Sequence, residues 1–382
     1  MTYKALLRNG ISVAQRVLGP LVFPGDGPIV VMPDPRSAAE FRLRACHFAP
    51  ALGEGYDVLD RVPKLVLLSH RPVVFLTMPE QRWLAKLPNM FVLDHEQCAD
   101  DAWNWFGLVM ALRPEFFREE VRKAEGRFHK LALHLREGYK KCYIFGTGGS
   151  LERAGEHDWS DGIRVVSNTI VKDGSLWRHV DPHVIVAGDA LYHFGHTEFA
   201  ISFRKDLACR MRETQTFFIY PAMFHDLVLR ELGEFSDRLI PIPIGDKRSS
   251  IQDLISDFEL PFMGNVLNLL LLPVACTLSK DVYLWGFDGR APDDKMFWKN
   301  SSKHFYQEHV AKLQAAHPAF FELHVPKSNP EKYVKTVHGD KLEQDLSEAE
   351  SRGWRFTLLH KSWTETLQRR FRVIDGFLGA TK

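Results

Sequence analysis

From Lys141 onward, short runs of β-branched and aromatic residues alternate with amphipathic helical stretches, and this alternation constrains the fold more than any other feature. The runs Cys142 to Phe145, Ile163 to Ser167, Val184 to Ala187, Thr216 to Tyr220, Leu239 to Ile242 and Asp281 to Gly286 read as strands. Helical patterns fall at His196 to Arg212, Ala222 to Leu232 and Phe262 to Leu278. Strands separated by helices pair in parallel through right-handed crossovers, and sheets of that kind bind ligands beyond the carboxyl ends of their strands. Functional residues are therefore expected just after Phe145, Ser167, Ala187 and Trp285.

The first third of the chain repeats the theme less regularly. Pro28 to Met32, Lys64 to Ser69, Val73 to Leu76 and Met90 to Leu93 read as buried parallel strands, followed by helices over Asp100 to Leu112 and Glu115 to Glu137. The second helix is heavily charged with one apolar side, and is read as the connection between two domains, 1–136 and 137–382. The polar and aromatic stretch from Gly289 to Val337, with one helix over Ser302 to Ala316, is read as a lid.

A net charge of +1 removes the global attraction a nucleic-acid binder carries, so nucleic acid is not expected as a partner. The five cysteines form no C-x-x-C pair and mostly sit in apolar runs, which suggests buried thiols in a reducing compartment. The N-terminus lacks the continuous apolar region of a signal peptide, and Val266 to Leu278 falls short of a bilayer span, so a cytoplasmic protein is expected. No Asp-x-Asp triplet occurs in the chain. The pairs His193/His196 and His304/His309 complete no zinc spacing and read as polar surface or supporting residues, and no metal is expected.

The loop Gly146-Thr147-Gly148-Gly149-Ser150-Leu151 follows a strand and opens a helical segment. Small residues there let backbone N–H groups approach an anion, although the loop lacks both the sixth-position glycine of a dinucleotide fingerprint and the Gly-Lys-Ser/Thr of a P-loop. The order of motifs from this loop onward resembles the bacterial sialyltransferases and the related Kdo transferases, over roughly the last 240 residues. The resemblance is carried by Tyr143 to Leu151, by Val165-Val166-Ser167-Asn168, by Val184 to Asp189 and by Met263-Gly264-Asn265. It continues through Tyr283 to Asp288, His338-Gly339-Asp340-Lys341, Trp354 to Leu359 and Lys361-Ser362.

The resemblance implies an α/β architecture of two Rossmann-like domains of the GT-B kind, with the first shaping the acceptor side and the second holding a CMP-sugar. It implies that the glycine loop faces the CMP phosphate and Asn168 the nucleotide, that the turns at Gly264, Asn265, Gly286, Phe287 and Asp288 hold ribose and cytosine, and that Ser362 joins them. His338 inherits the place of the family's catalytic histidine. Asp189 stands where the sialyltransferases carry Asn, and a carboxylate beneath an anomeric carbon is a nucleophile for a retaining double displacement. This departure favours Kdo over sialic acid as the donor sugar.

The implied activity is metal-independent transfer of an acidic sugar to a saccharide or glycolipid acceptor, in lipopolysaccharide or capsule synthesis at the inner face of the membrane. Other readings stay open. Asp189 after Gly188 also suits a turn or N-cap, Asp288 a turn, and Phe297, Trp298, Phe305 and Tyr306 a core rather than a sugar platform. Trp363, Leu367, Arg369, Arg370, Phe371, Arg372 and Phe377 suit either an interfacial helix or a docked one. The competing functions are an ATP-dependent pterin diphosphokinase-like transferase and a non-catalytic nucleotide-binding module.

Overall fold

The computed structural model describes residues 27–32, 35–52, 55–62, 66–247, 249–290, 303–324 and 339–374. The chain is α/β, with a four-stranded and a seven-stranded sheet flanked by helices, and every strand pairing in both is parallel. It divides into two compact units, Met1–Phe117 with Ala311–Val325, and Arg118–Val310 with Pro326–Lys382. The division falls near the start of the charged helix rather than at its end, and the stretch 311–325 joins the first unit although the sequence reading gave it to the second.

In the first unit, β1 (Ile29–Val31), β2 (Asp57–Leu59), β3 (Val73–Phe75) and β4 (Met90–Val92) lie in the order β2-β1-β3-β4. The apolar triplets of β1 and β3 are buried at every residue, as strands covered on both faces must be. The edge strand β2 is largely exposed, and within the strand expected over Lys64 to Ser69 the described residues Val66–Leu68 form a 3-10 turn. Helix α1 (Pro35–Phe48) follows β1 and α2 (Asp101–Leu112) follows β4. Phe41 and Phe48 each stack on Trp105 of α2, with ring centroids 5.4 Å apart in both cases.

The inserted stretch is tied in by buried polar contacts. His317 Nδ1 lies 3.1 Å from Asp101 Oδ1, Arg44 donates to Asp101 Oδ2 at 3.0 Å, and Ala319 N–H donates to the His95 carbonyl at 3.2 Å.

In the second unit, β5 (Lys141–Phe145), β6 (Ile163–Ser167), β7 (Val184–Val186), β8 (Phe217–Pro221), β9 (Leu239–Ile242), β10 (Asp281–Trp285) and β11 (Arg355–Leu358) lie in the order β11-β10-β5-β6-β7-β8-β9. The chain winds outward from β5 to β9 and then returns to add β10 on the other side of β5. The order reverses between β5 and β10, which is where open parallel sheets form a ligand crevice. Helix α3 (Pro114–Gly138) is not a free connection: Ala124, Phe128, Leu131, Ala132 and Leu135 pack into the core of this unit.

The helix expected from Phe262 begins later. Leu267–Leu271 forms a π turn and Leu272–Leu278 an α-helix. Pro273 lacks the N–H that a regular helix needs, and the widened turn carries the Leu272 N–H to the Leu267 carbonyl instead. Leu270, Leu271 and Leu272 are fully buried, each stabilising the fold by roughly 1.5–3 kcal/mol relative to exposure.

Among the described residues after β11 only Glu365–Gln368 is helical, and Arg370 is buried between Glu343 and Glu350, with guanidinium–carboxylate distances of 3.0 and 2.7 Å. Trp363 is 64% exposed, while Phe377 lies outside the described residues. Among the described residues no helix is long and apolar enough to cross a membrane. All five cysteines are free, but only Cys142 and Cys276 are buried, while Cys46 and Cys209 are exposed, contrary to the expectation for the set.

Candidate functional site

Three loops meet at the carboxyl ends of β5, β10 and β11. The glycine loop after β5 donates from Gly146 N–H to the Trp285 carbonyl at 2.8 Å and from Gly148 N–H to the Gly286 carbonyl at 2.9 Å. This approach requires glycine on both sides. A Cβ on Gly146 would stand 2.6 Å from the Gly286 oxygen, and one on Gly286 would strike the Gly146 carbonyl. Gly286 also has φ of +81°, which only glycine adopts without strain. Gly149, by contrast, is exposed and faces open space.

Asp288 closes the junction. Its carboxylate accepts the Ser150 N–H at 3.1 Å and the Ser150 hydroxyl at 2.8 Å. An acidic side chain thus takes the backbone donor that the resemblance assigns to a phosphate. The third loop contributes Ser362, whose hydroxyl donates to the Phe287 carbonyl at 2.7 Å, and Trp363, whose N–H donates to the Asp288 carbonyl at 2.7 Å. Gly146, Gly148, Ser150, Gly286, Phe287, Asp288 and Ser362, singled out from sequence, therefore share one locus. Thr147 and Gly149 belong to the same loop.

His360, which sequence reasoning missed, is the centre of this junction. Its Nδ1–H donates to the Lys361 carbonyl at 2.8 Å, which leaves Nε2 to accept the N–H groups of Gly286 at 3.0 Å and Phe287 at 3.3 Å. Ser150 Oγ lies 3.1 Å from the same nitrogen. Burial holds the imidazole below its ordinary pKa, against the pull of the Asp288 carboxylate. The neutral ring suits the acceptor role, because a proton on Nε2 would confront two backbone donors. The signal was its place, directly after β11 and before the Lys361-Ser362 turn.

Along the sheet, Asn168 ends β6 in a left-handed conformation, with φ of +53°, a region Asn tolerates better than most residues. Its side-chain oxygen is buried with no partner among the described residues. Asn265 accepts the Asn268 N–H at 3.0 Å, yet its amide nitrogen is buried with no acceptor among the described residues. Gly264 beside it faces open space. Buried polar atoms are nearly always satisfied, so these two amide atoms, in turns singled out from sequence, are exceptions among the described residues.

Asp189 ends the β7 turn, and its Oδ1 accepts the N–H groups of Leu191 at 2.8 Å and Tyr192 at 2.9 Å. The Asp189 N–H donates to His193 Nδ1 at 3.2 Å. Gly188 precedes it against Leu269 and Leu270, whose methyl groups would stand 3.0 and 2.9 Å from a Cβ there. The carboxylate is thus fixed in direction by its own turn. His338 lies outside the described residues.

Of the two histidine pairs, read from sequence as surface or supporting residues, one member each is buried and the other half-buried. His193 and His304 are buried, and both ring nitrogens of His304 lack partners among the described residues. Burial lowers the His304 pKa, so the ring is held towards its neutral form. Tyr306 donates to Asp206 at 2.5 Å and packs edge-on to Phe199, which makes it a core residue. Phe305 also meets Phe199 edge-on, whereas Phe297 and Trp298 lie outside the described residues. No group of three or more His, Cys, Asp or Glu residues that could hold a metal ion occurs among the described residues.

A further polar chain, Tyr220 Oη to His225 Nδ1 at 2.7 Å and His225 Nε2 to Glu120 at 3.2 Å, ties the end of β8 to α3. Tyr220 is fully buried, so this chain anchors the fold rather than facing a ligand. No family model, curated protein or solved structure matches the chain.

Proposed function

We propose that the second unit binds a CMP-linked acidic sugar, Kdo before sialic acid, and transfers it to a saccharide or glycolipid hydroxyl in the synthesis of a bacterial surface glycan. The observation that carries the reading is the convergence of the three glycine- and serine-containing loops at the reversal of strand order, in a unit that also holds the unpartnered amide atoms of Asn168 and Asn265. A nucleoside offers what those amides lack, a donor for Asn168 Oδ1 and an acceptor for Asn265 Nδ2. Because Asp288 already accepts the Ser150 N–H and would repel an anion there, the phosphate is assigned to the open side of the loop at Gly149. Arg153, whose guanidinium stands 5.8 Å above the Trp285 ring, puts a cation beside the same junction.

In the proposed reaction, Asp189 attacks the anomeric carbon as the C–O bond to phosphate breaks, and CMP leaves with the electron pair. The acceptor hydroxyl then displaces Asp189, giving net retention, while His338 takes the hydroxyl proton. The donor needs no metal in this scheme, since the leaving group is a monophosphate. Replacing Asp189 with Asn separates the chemical role from the structural one. Asn keeps an oxygen for the Leu191 and Tyr192 N–H groups but is no nucleophile. Transfer from CMP-Kdo, assayed with unchanged CMP affinity and melting temperature, is expected to fall by at least about a thousandfold. Retained activity would reduce Asp189 to a turn cap.

The competing non-catalytic reading draws on the Asp288 contact, which leaves the loop fewer free donors for a phosphate. It predicts CMP binding with no turnover of either donor.

A further inference from the structure

His360 takes no part in the reaction proposed above, yet its ring holds the backbone donors of the loop after β10. The carbonyls of that loop are bound from other segments: Trp285 by the Gly146 N–H, Gly286 by the Gly148 N–H, Phe287 by the Ser362 hydroxyl and Asp288 by the Trp363 N–H. The N–H groups of Gly286 and Phe287 go instead to His360 Nε2, at 3.0 and 3.3 Å. We propose that His360 is a proton-operated latch: unprotonated at Nε2 it holds the 286–288 loop in the shape that receives the nucleotide, and protonated it lets the loop go. The effect on nucleotide rests on the reading given above for this site; the hold on the loop does not.

The hydrogen bonds admit one protonation state. A carbonyl only accepts, so Nδ1, 2.8 Å from the Lys361 oxygen, carries a proton. A backbone N–H only donates, so Nε2 is bare. A proton added there would face two donors and strip both of their acceptor in a buried place, where an unpaired donor is costly. The protonated nitrogen has another partner within reach. Ser150 Oγ lies 3.1 Å away and gives its own proton to Asp288 Oδ2 at 2.8 Å, which leaves a lone pair for the imidazolium. The ring thus trades its two backbone bonds for one to the glycine loop. The released peptides can re-set, because glycines stand at both ends of the segment, with φ of +81° at Gly286 and +72° at Gly289.

A glutamine amide would hold the same donors at every pH, whereas an imidazole holds them only while neutral. The charged and titratable groups around the ring set when that is. The β10 loop contributes the Asp288 carboxylate. The turn after the glycine loop contributes Arg153, whose guanidinium stands 5.8 Å above the Trp285 ring, and His157, whose ring lies 4.9 Å from the same indole. Trp285 itself meets His360 edge-on at 5.2 Å, and the Lys361 side chain is exposed. Burial keeps the His360 pKa below its ordinary value; Asp288 and the Lys361 carbonyl pull it up, and Arg153 pulls it down. With the folded value below the unfolded one, the hold is complete above the ordinary histidine value and is lost as pH falls through the lower, folded one. The latch is shut at neutral pH and opens in acid.

The test follows the full chain, ¹⁵N-labelled at phenylalanine, by NMR between about pH 8 and pH 4. The Phe287 amide is assigned with Phe287→Leu and is expected to titrate with a midpoint below the ordinary histidine value. His360→Gln sets a non-titrating oxygen near the Nε2 position, and the titration of the Phe287 amide should vanish from it. CMP affinity is measured by calorimetry over the same range in both chains, so that the titration of the CMP phosphate, with a pKa on the order of 6, is common to them. For each pH unit below the Phe287 midpoint the parent should lose about tenfold more affinity than the variant, as the competent fraction falls. If His360→Gln does not fold, His360→Asn, with no atom at the Nε2 position, takes its place in the NMR comparison, and the Phe287 titration of the parent decides alone if neither does. The proposal is overturned if the Phe287 amide does not titrate below the ordinary histidine value, if it titrates unchanged in a folded variant, or if parent and His360→Gln lose CMP affinity in parallel. A chain that ignores CMP at every pH while its Phe287 amide titrates through His360 keeps the latch and loses the nucleotide reading; CMP binding with Phe287 unmoved does the reverse.

Discussion

His193 shows how one buried side chain sets a pH response. Its Nδ1 accepts the Asp189 N–H, and burial, with the Arg204 charge adding to it, pushes its pKa from 6.5 down to about 3. Since the folded value lies below the unfolded one, the unfolded state takes up the proton first as the solution is acidified. The contribution to stability is complete above the unfolded value and is lost as pH falls from there towards the folded one. The expected slope is at most about 1.4 kcal/mol per pH unit for this single group. Urea denaturation across that range should show the decline, and His193→Asn should flatten it by up to one proton. An unchanged slope in the variant would assign the decline to other groups, such as His183, whose pKa burial lowers to about 4.

Residues of this kind were the least legible in the sequence. His193 and His304 read as polar surface or supporting residues, without a choice between them, because a histidine in sequence carries no sign of its burial. The importance of His360 arises only where three loops meet, far apart along the chain. The glycines were readable because a strand followed by Gly146, Gly148 and Gly149 has few other physical reasons to exist. What they do was less readable: Gly146 and Gly148 admit another loop, and only Gly149 leaves room for a ligand.

At the scale of elements, the strands of the second unit were legible because their Val, Ile and Phe runs are buried on both faces, which composition announces. Strand β2 was not, because an exposed edge triplet of Asp57, Val58 and Leu59 carries no apolar run. Substitutions in the glycine loop should separate its two halves. Gly146→Ala drives a methyl group into the Gly286 carbonyl and Phe287 ring and should cost about 1–3 kcal/mol, read as a shift in the denaturation midpoint. Gly149→Ala should leave stability within about 0.5 kcal/mol while weakening nucleotide binding. Equal destabilisation by both would contradict the packing described for the junction.

At the scale of the molecule, the two units are interleaved along the chain, since 311–325 returns to the first after most of the second has been laid down. A boundary placed in a charged helix by composition could not anticipate this, because the return depends on His317 and Ala316 finding Asp101 and Arg44. His317→Ala leaves the buried Asp101 paired with Arg44 alone. It should cost about 1–3 kcal/mol, the usual penalty for removing a hydrogen-bond partner from a buried polar group. Hydrogen exchange should then show protection lost in β3, β4 and α2, with the seven-stranded sheet unaffected. Uniform loss across both units would mean that they unfold as one.

The central claim is that the junction of the β5, β10 and β11 loops accepts a cytidine nucleotide without metal, and calorimetry with CMP, UDP, GDP and ATP, each with and without Mg²⁺, tests it most directly. The account predicts selective CMP binding of the same affinity in both conditions. Preference for ATP with Mg²⁺, or no binding of any of the four, would contradict it.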